Sequence, residues 1–174
     1  MQRHFQMLAD YNRWANARIY DACAALPDAD YRADRGAFFG SAHRTLNHLL
    51  VADRIWLRRI TGNGVAPMEL NVILHDDLSE LRRAREAEDR RFIDLTASFG
   101  PETFERLVHY TPVTVPEPMT EPLGVMLAHV FNHQTHHRGQ IHTILTSLGQ
   151  PSVVLDMITF LRADGRQWMA SRQD

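Results

Sequence analysis

The chain of 174 residues contains no lysine; all 19 of its basic residues are arginine. That absence excludes Schiff-base chemistry, pyridoxal anchoring and a P-loop lysine. A single cysteine, Cys23, excludes an internal disulfide and any zinc site built from a cysteine cluster. Long apolar runs are missing too. No uncharged apolar stretch reaches the about 18 residues that a membrane span needs, so none is expected. The N-terminal residues mix polar and apolar side chains, without the apolar run and small-residue cleavage site of a secretory leader, and none is expected. Charge of one sign is scarce. A net charge of −2 gives no electrostatic basis for holding nucleic acid or an anionic membrane. A lone thiol suits a reducing compartment, and the expected location is cytoplasmic.

What is present is an ordinary globular composition, 44% apolar and 23% charged, in a length suited to one domain spanning residues 1–174. Four long segments carry helical spacing. The first, about Arg3–Leu26, repeats Leu8, Tyr11, Trp14 and Ala22 and stops at Pro27. After a linker at Asp28–Gly40, Ser41 is placed to cap a second helix reaching Ile60, which Gly62 and Gly64 end. The third, about His75–Phe99, sets Leu78, Leu81, Phe92 and Ile93 against a face dense in Arg, Asp and Glu. Phe104–Tyr110 reads as a short strand. The four prolines between Pro112 and Pro122 exclude a helix interior or a central strand there. The fourth helix, about Glu121–Leu148, takes Thr120 as its cap and stops at Gly149, and Asp156–Met169 reads as a shorter fifth. The pattern predicts an all-α helix bundle with a short extra C-terminal helix.

Ten histidines are the anomaly. The fourth helix holds His129, His133, His136 and His137. Two histidines at i, i+4 lie one turn apart and reach a common ion, which both His129/His133 and His133/His137 satisfy. The apolar stripe separates the pairs. With residues about 100° apart and Val130 as zero, Leu123, Met126, Leu127, Ile141, Ile144 and Leu145 fall between about −40° and +60°. His137 lies near −20° within that stripe, and His133 near −60° at its edge. His129 and His136, near −100° and −120°, belong to the rim. A metal site needs a third ligand from a facing helix. His48 is the best candidate, because Val51, Ala52 and Ile55 share its face. The His-Glu-x-x-His general base is missing, since Gln134 follows His133.

Three segments together carry a family resemblance. They are Tyr11-Asn12-Arg13-Trp14, Leu46-Asn47-His48 through Asp53-Arg54-Ile55-Trp56, and His129 through His133-Gln134-Thr135-His136-His137-Arg138-Gly139-Gln140. In order and spacing they resemble the DinB/YfiT-like superfamily, which is unrelated to the DNA polymerase sharing that name. The resemblance implies an up-down-down-up four-helix bundle, often a homodimer. It also implies one divalent metal ion per chain on His48, His133 and His137. Characterised members include thiol S-transferases, thiol-dependent isomerases and a hydrolase-like protein.

Zinc and nickel both suit imidazole ligands, and the spacing does not choose between them. Three neutral imidazoles with an open fourth position would acidify a water for hydrolysis, or a thiol for transfer or isomerisation. The expected partner is a small molecule, including a low-molecular-weight thiol. The competing readings are a non-catalytic metal-binding stress protein and a dimeric interaction module. Asp53, about 140° from His48, reads as an arginine partner. Arg138 and Gln140 are candidates to orient ligands or bind a substrate carboxylate. The Arg82–Arg91 run, mixed with Glu and Asp, reads as a solvated, salt-bridged face. Gly139 reads as a point where a neighbouring helix approaches.

Overall fold

The computed structural model describes residues 1–170. Its helices are α1 (Gln2–Ala24), α2 (Asp28–Arg32), α3 (Ala42–Thr61), α4 (Leu78–Ala97), α5 (Leu123–Ser147) and α6 (Met157–Arg162). Local chemistry sets their ends. The Ser41 hydroxyl accepts from the Arg44 amide at 3.2 Å, opening α3. Gly62, with φ +74°, closes it in the left-handed region that glycine adopts without strain. An Asp77 carboxylate oxygen accepts from the Glu80 amide at 2.9 Å and starts α4 later than the periodicity suggests.

Two strands, β1 (Leu107–Tyr110) and β2 (Met119–Pro122), pair antiparallel with Leu107 opposite Pro122 and Tyr110 opposite Met119. This pairing corrects the start of α5. Thr120 is a strand residue whose hydroxyl lies 2.7 Å from His109 Nδ1, not a helix cap. The expected helix over Asp156–Met169 is also broken. The Gly165 amide donates to the Phe160 carbonyl at 2.8 Å, and a Cβ at Gly165 would sit 2.5 Å from the Phe160 ring. The chain turns there into a 3-10 turn, Arg166–Trp168, and Trp168 Nε1 donates to Asp10 on α1. The linker Asp28–Gly40 contains α2.

α1 packs on α4 and α5, and α3 packs on the same two helices. One apolar cluster joins Phe5, Leu57, Ile60, Phe92, Phe104, Val130 and Phe131. A second joins Ile19, Leu46, Leu49, Leu50, Leu81, Ile141 and Ile144. Along the chain, α1 and α5 run from the first cluster to the second, and α3 and α4 run the opposite way. Between the clusters lies a buried polar layer with members from all four helices. Asp53 accepts from Arg85 at 2.5 Å and from Gln134 at 2.5 Å. Asp89 accepts from Asn12 and Asn16 and pairs with Arg85 at 3.2 Å. Arg138 donates to Asn12, Asn16 and Thr135.

This layer gives Asp53 its expected arginine partner. It also corrects two expectations. Arg85, Glu88 and Asp89 are buried, so the Arg82–Arg91 run is not wholly a solvated face; Leu81, Arg85, Asp89 and Phe92 share the inward stripe. A Cβ at Gly139 would meet nothing within 4 Å, so no helix approaches there. The close approach is at Gly124, where the Phe104 carbonyl lies 3.3 Å from an added Cβ.

Candidate metal centre

α3 and α5 pack side by side, and their inward faces bring three imidazoles together. His48 Nε2 lies 3.2 Å from His133 Nε2, and His137 Nε2 lies 3.1 Å from the same atom. All three ligand atoms fall within 4.8 Å of one another. An ion about 2.0–2.1 Å from tetrahedral imidazole nitrogens separates them by about 3.3 Å, and the two spacings to His133 are already close to that.

The outer nitrogens fix the tautomers. His48 Nδ1 donates to the Leu70 carbonyl at 2.9 Å, and His137 Nδ1 donates to Gln140 Oε1 at 2.8 Å. A carbonyl or amide oxygen only accepts, so both Nδ1 atoms carry the proton and both Nε2 atoms present lone pairs. Those lone pairs face His133 Nε2, whose single proton would satisfy only one of them. A shared cation resolves the conflict, and the donor set fits a divalent ion. Proton binding is a poor substitute. Burial lowers the His48 imidazole to about 4 and the His133 imidazole, which also faces its neighbouring histidines, to about 3. Burial lowers His137 as well, against the pull of Gln140.

Support for this cluster begins in the loops. Asn47, fully buried beside His48, accepts from the Leu74 and His75 amides and donates to the His75 carbonyl. It ties down the segment that carries Leu70. The Phe39 ring stacks on His48 with centroids 3.8 Å apart. Gly40, at φ +81°, closes the tight loop that holds Phe39 there. On the other side, a cavity of about 280 Å³ reaches His48 and His133 past Trp56, Arg59, Tyr110 and His129. A larger cleft of about 660 Å³, lined by Arg32, Asp34 and Arg44, lies beyond Phe39 and touches none of the three histidines.

A protein-family model for the DinB family matches residues 1–170. The chain belongs to the DinB family. It is also similar to Protein DinB of Bacillus subtilis (strain 168), 27% identical over 160 residues that cover 88% of this chain and 91% of that protein. As a DinB-family chain it brings His48, His133 and His137 together as expected from the sequence. It leaves His129 and His136 exposed on the same helix, His129 with its ring 5.7 Å from that of His133. His4 and His109 are exposed, and His43 is buried against Tyr31, away from the cluster. Gln140 holds the His137 ring, while Arg138 is bonded to Asn12, Asn16 and Thr135 in the polar layer. Burial pushes the Cys23 thiol up to about 12, which makes it a buried apolar residue and not a nucleophile.

Sequence reasoning missed Phe39, Asn47 and the Leu70 carbonyl. Phe39 sits in a segment without periodicity, and a backbone carbonyl leaves no trace in residue identity. Asn47, polar and next to His48 on an otherwise apolar face, was the one readable signal. No helix among the described residues is long and apolar enough to cross a membrane.

Proposed function

We propose that this chain is a metal-dependent enzyme of small molecules, a hydrolase or a thiol-dependent transferase or isomerase, working at one divalent ion on His48, His133 and His137. We also infer that its helices form the up-down-down-up bundle of the family, in keeping with the opposed directions of α1 and α5 against α3 and α4. The observation that carries the catalytic reading is an asymmetric surround: two imidazoles with Nδ1 held by protein oxygens, an aromatic ring over one side, and a cavity on the other. A site meant only to hold metal would close with a fourth side chain; three ligands and a cavity suit an exchangeable position.

Held by His48, His133 and His137, zinc or nickel would supply Lewis acidity for polarising a carbonyl or acidifying a water or thiol. The residues of the chain do the rest. Phe39 keeps water from the back of His48. The Leu70 carbonyl and Gln140 hold two rings in line. His129, at the exposed mouth of the cavity and lowered from its ordinary value where its ring is partly desolvated beside Trp56, is placed to take a proton there.

Cobalt-substituted protein titrated with a small thiol tests the proposal. A thiolate charge-transfer absorption that saturates with thiol, and weakens when His133→Ala removes a ligand, is the expected result. A cobalt spectrum that no thiol or other small ligand perturbs would mean a closed coordination sphere and no catalysis.

A further inference from the structure

The cavity beside the three histidines contains a cation with no direct hydrogen-bonding or ion-pair partner among the described residues. Arg59 is half-buried on the wall shared with His48 and His133, and it makes no hydrogen bond or ion pair among the described residues. Its guanidinium carbon lies 4.5 Å from the Trp56 ring centroid and 4.4 Å from that of Tyr110. The two centroids are themselves 5.6 Å apart. Such a triangle places the rings as a corner and not on opposite faces, so the far edge of the guanidinium stays open. Aromatic faces hold the charge but accept none of its five in-plane N–H groups. Glu121 attracts Arg59 electrostatically, but it accepts from the Tyr110 hydroxyl at 2.7 Å through Oε2 and forms no direct ion pair with Arg59. His129, the remaining titratable group on this wall, stacks near Trp56 and adds no negative charge.

A guanidinium held by aromatic rings, partly stripped of water and with its fork unused is a receptor for a planar carboxylate. Its place on α3 sets a length. Arg59 lies three turns beyond His48, about 16 Å along the helix axis. Both side chains lean back towards the helix N-terminus, and the longer arginine reaches further back than the imidazole, which shortens that gap. The bound group and the reacting group are therefore separated by the span of a small organic molecule. Ile55, Trp56, Pro112 and Val113 line the same cavity and suit an apolar or aromatic middle.

We infer that Arg59 is the substrate-binding residue of this cavity, and that the substrate class is a small carboxylate with an apolar middle whose other end reaches His48 and His133. This rests on the reading that the three histidines hold the reacting ion.

Nitrogen–proton NMR of the Arg59 Nε–H and the Trp56 Nε1–H tests it, with hippurate and its uncharged amide added to zinc-free and zinc-loaded protein. Hippurate is expected to shift both signals saturably in both forms, and the amide to shift neither. Arg59→Gln is expected to weaken hippurate about tenfold or more while zinc content is unchanged. Arg59→Met, which keeps the apolar stem over the rings, is the second variant should the first unfold, and the same loss is expected. Equal shifts from acid and amide, no shift from hippurate, or hippurate affinity unchanged in a folded Arg59 variant would overturn the inference. Zinc failing to bind while hippurate still shifts both signals would refute the metal reading and leave Arg59 as a carboxylate site.

Discussion

Gln140 shows how one amide fixes the direction of an imidazole ring. Its Oε1 accepts from His137 Nδ1, and its Nε2 lies 3.2 Å from His136 Nε2, so the amide has a defined direction. Gln140→Leu keeps the size and removes the acceptor. It is expected to weaken zinc about 10- to 100-fold with the fold intact, measured by competition with a colorimetric chelator. The imidazoles themselves carry a pH signature. Their folded values, about 4 for His48 and about 3 for His133, lie below the ordinary 6.5. The unfolded chain therefore binds more protons below that value, so stability is full above it and falls as pH drops towards 4. Asp53 and Asp89, raised by burial, act in the opposite sense. The metal-free protein is expected to lose urea resistance between about pH 7 and pH 5, and His133→Asn to lose less. An equal loss in both proteins would show that the imidazoles are not buried neutral.

The helices owe their orientation to more than apolar stripes. Gln134 and Arg138, next to His133 and His137 on α5, fasten that helix to Asp53 on α3 and to Asn12 and Asn16 on α1. Rotation of α5 would break these bonds before it moved His133 and His137 out of reach of His48. Asp53→Ala leaves the Arg85 charge buried without one of its partners. It is expected to cost about 3–5 kcal/mol by thermal or denaturant unfolding, and to weaken zinc as well. Asp53→Ala with the stability of the wild type would show that the layer is not a clamp. Much of each long helix was legible, because Ser41 and Gly62 bound α3 by local chemistry alone. The start of α5 was not, because Thr120 and Pro122 answer to strand β1, a partner set by tertiary pairing. The break after α6 was not either, since Gly165 is needed only by the Phe160 ring packed on it.

Taken as a molecule, the chain divides its core into two apolar clusters with a charged layer between them, and sets the histidines where α3 meets α5. The histidine cluster was readable because His133 and His137 stand at one-turn spacing on an apolar face, and His48 shares its own face with Val51, Ala52 and Ile55. What surrounds them was less readable. Phe39, Leu70 and Tyr110 come from loops and a strand whose position depends on the assembled fold, and Arg59 gains its meaning only when Tyr110 arrives beside it. The most direct test is equilibrium dialysis of untagged protein against zinc or nickel, followed by metal analysis of the wild type and of His48→Ala, His133→Ala and His137→Ala. About one ion per chain in the wild type is expected, with binding lost or weakened at least tenfold in each variant, His48 on its separate helix included. A wild type that takes up no ion, or a His48→Ala protein that binds as tightly as the wild type, would contradict a centre shared between the two helices.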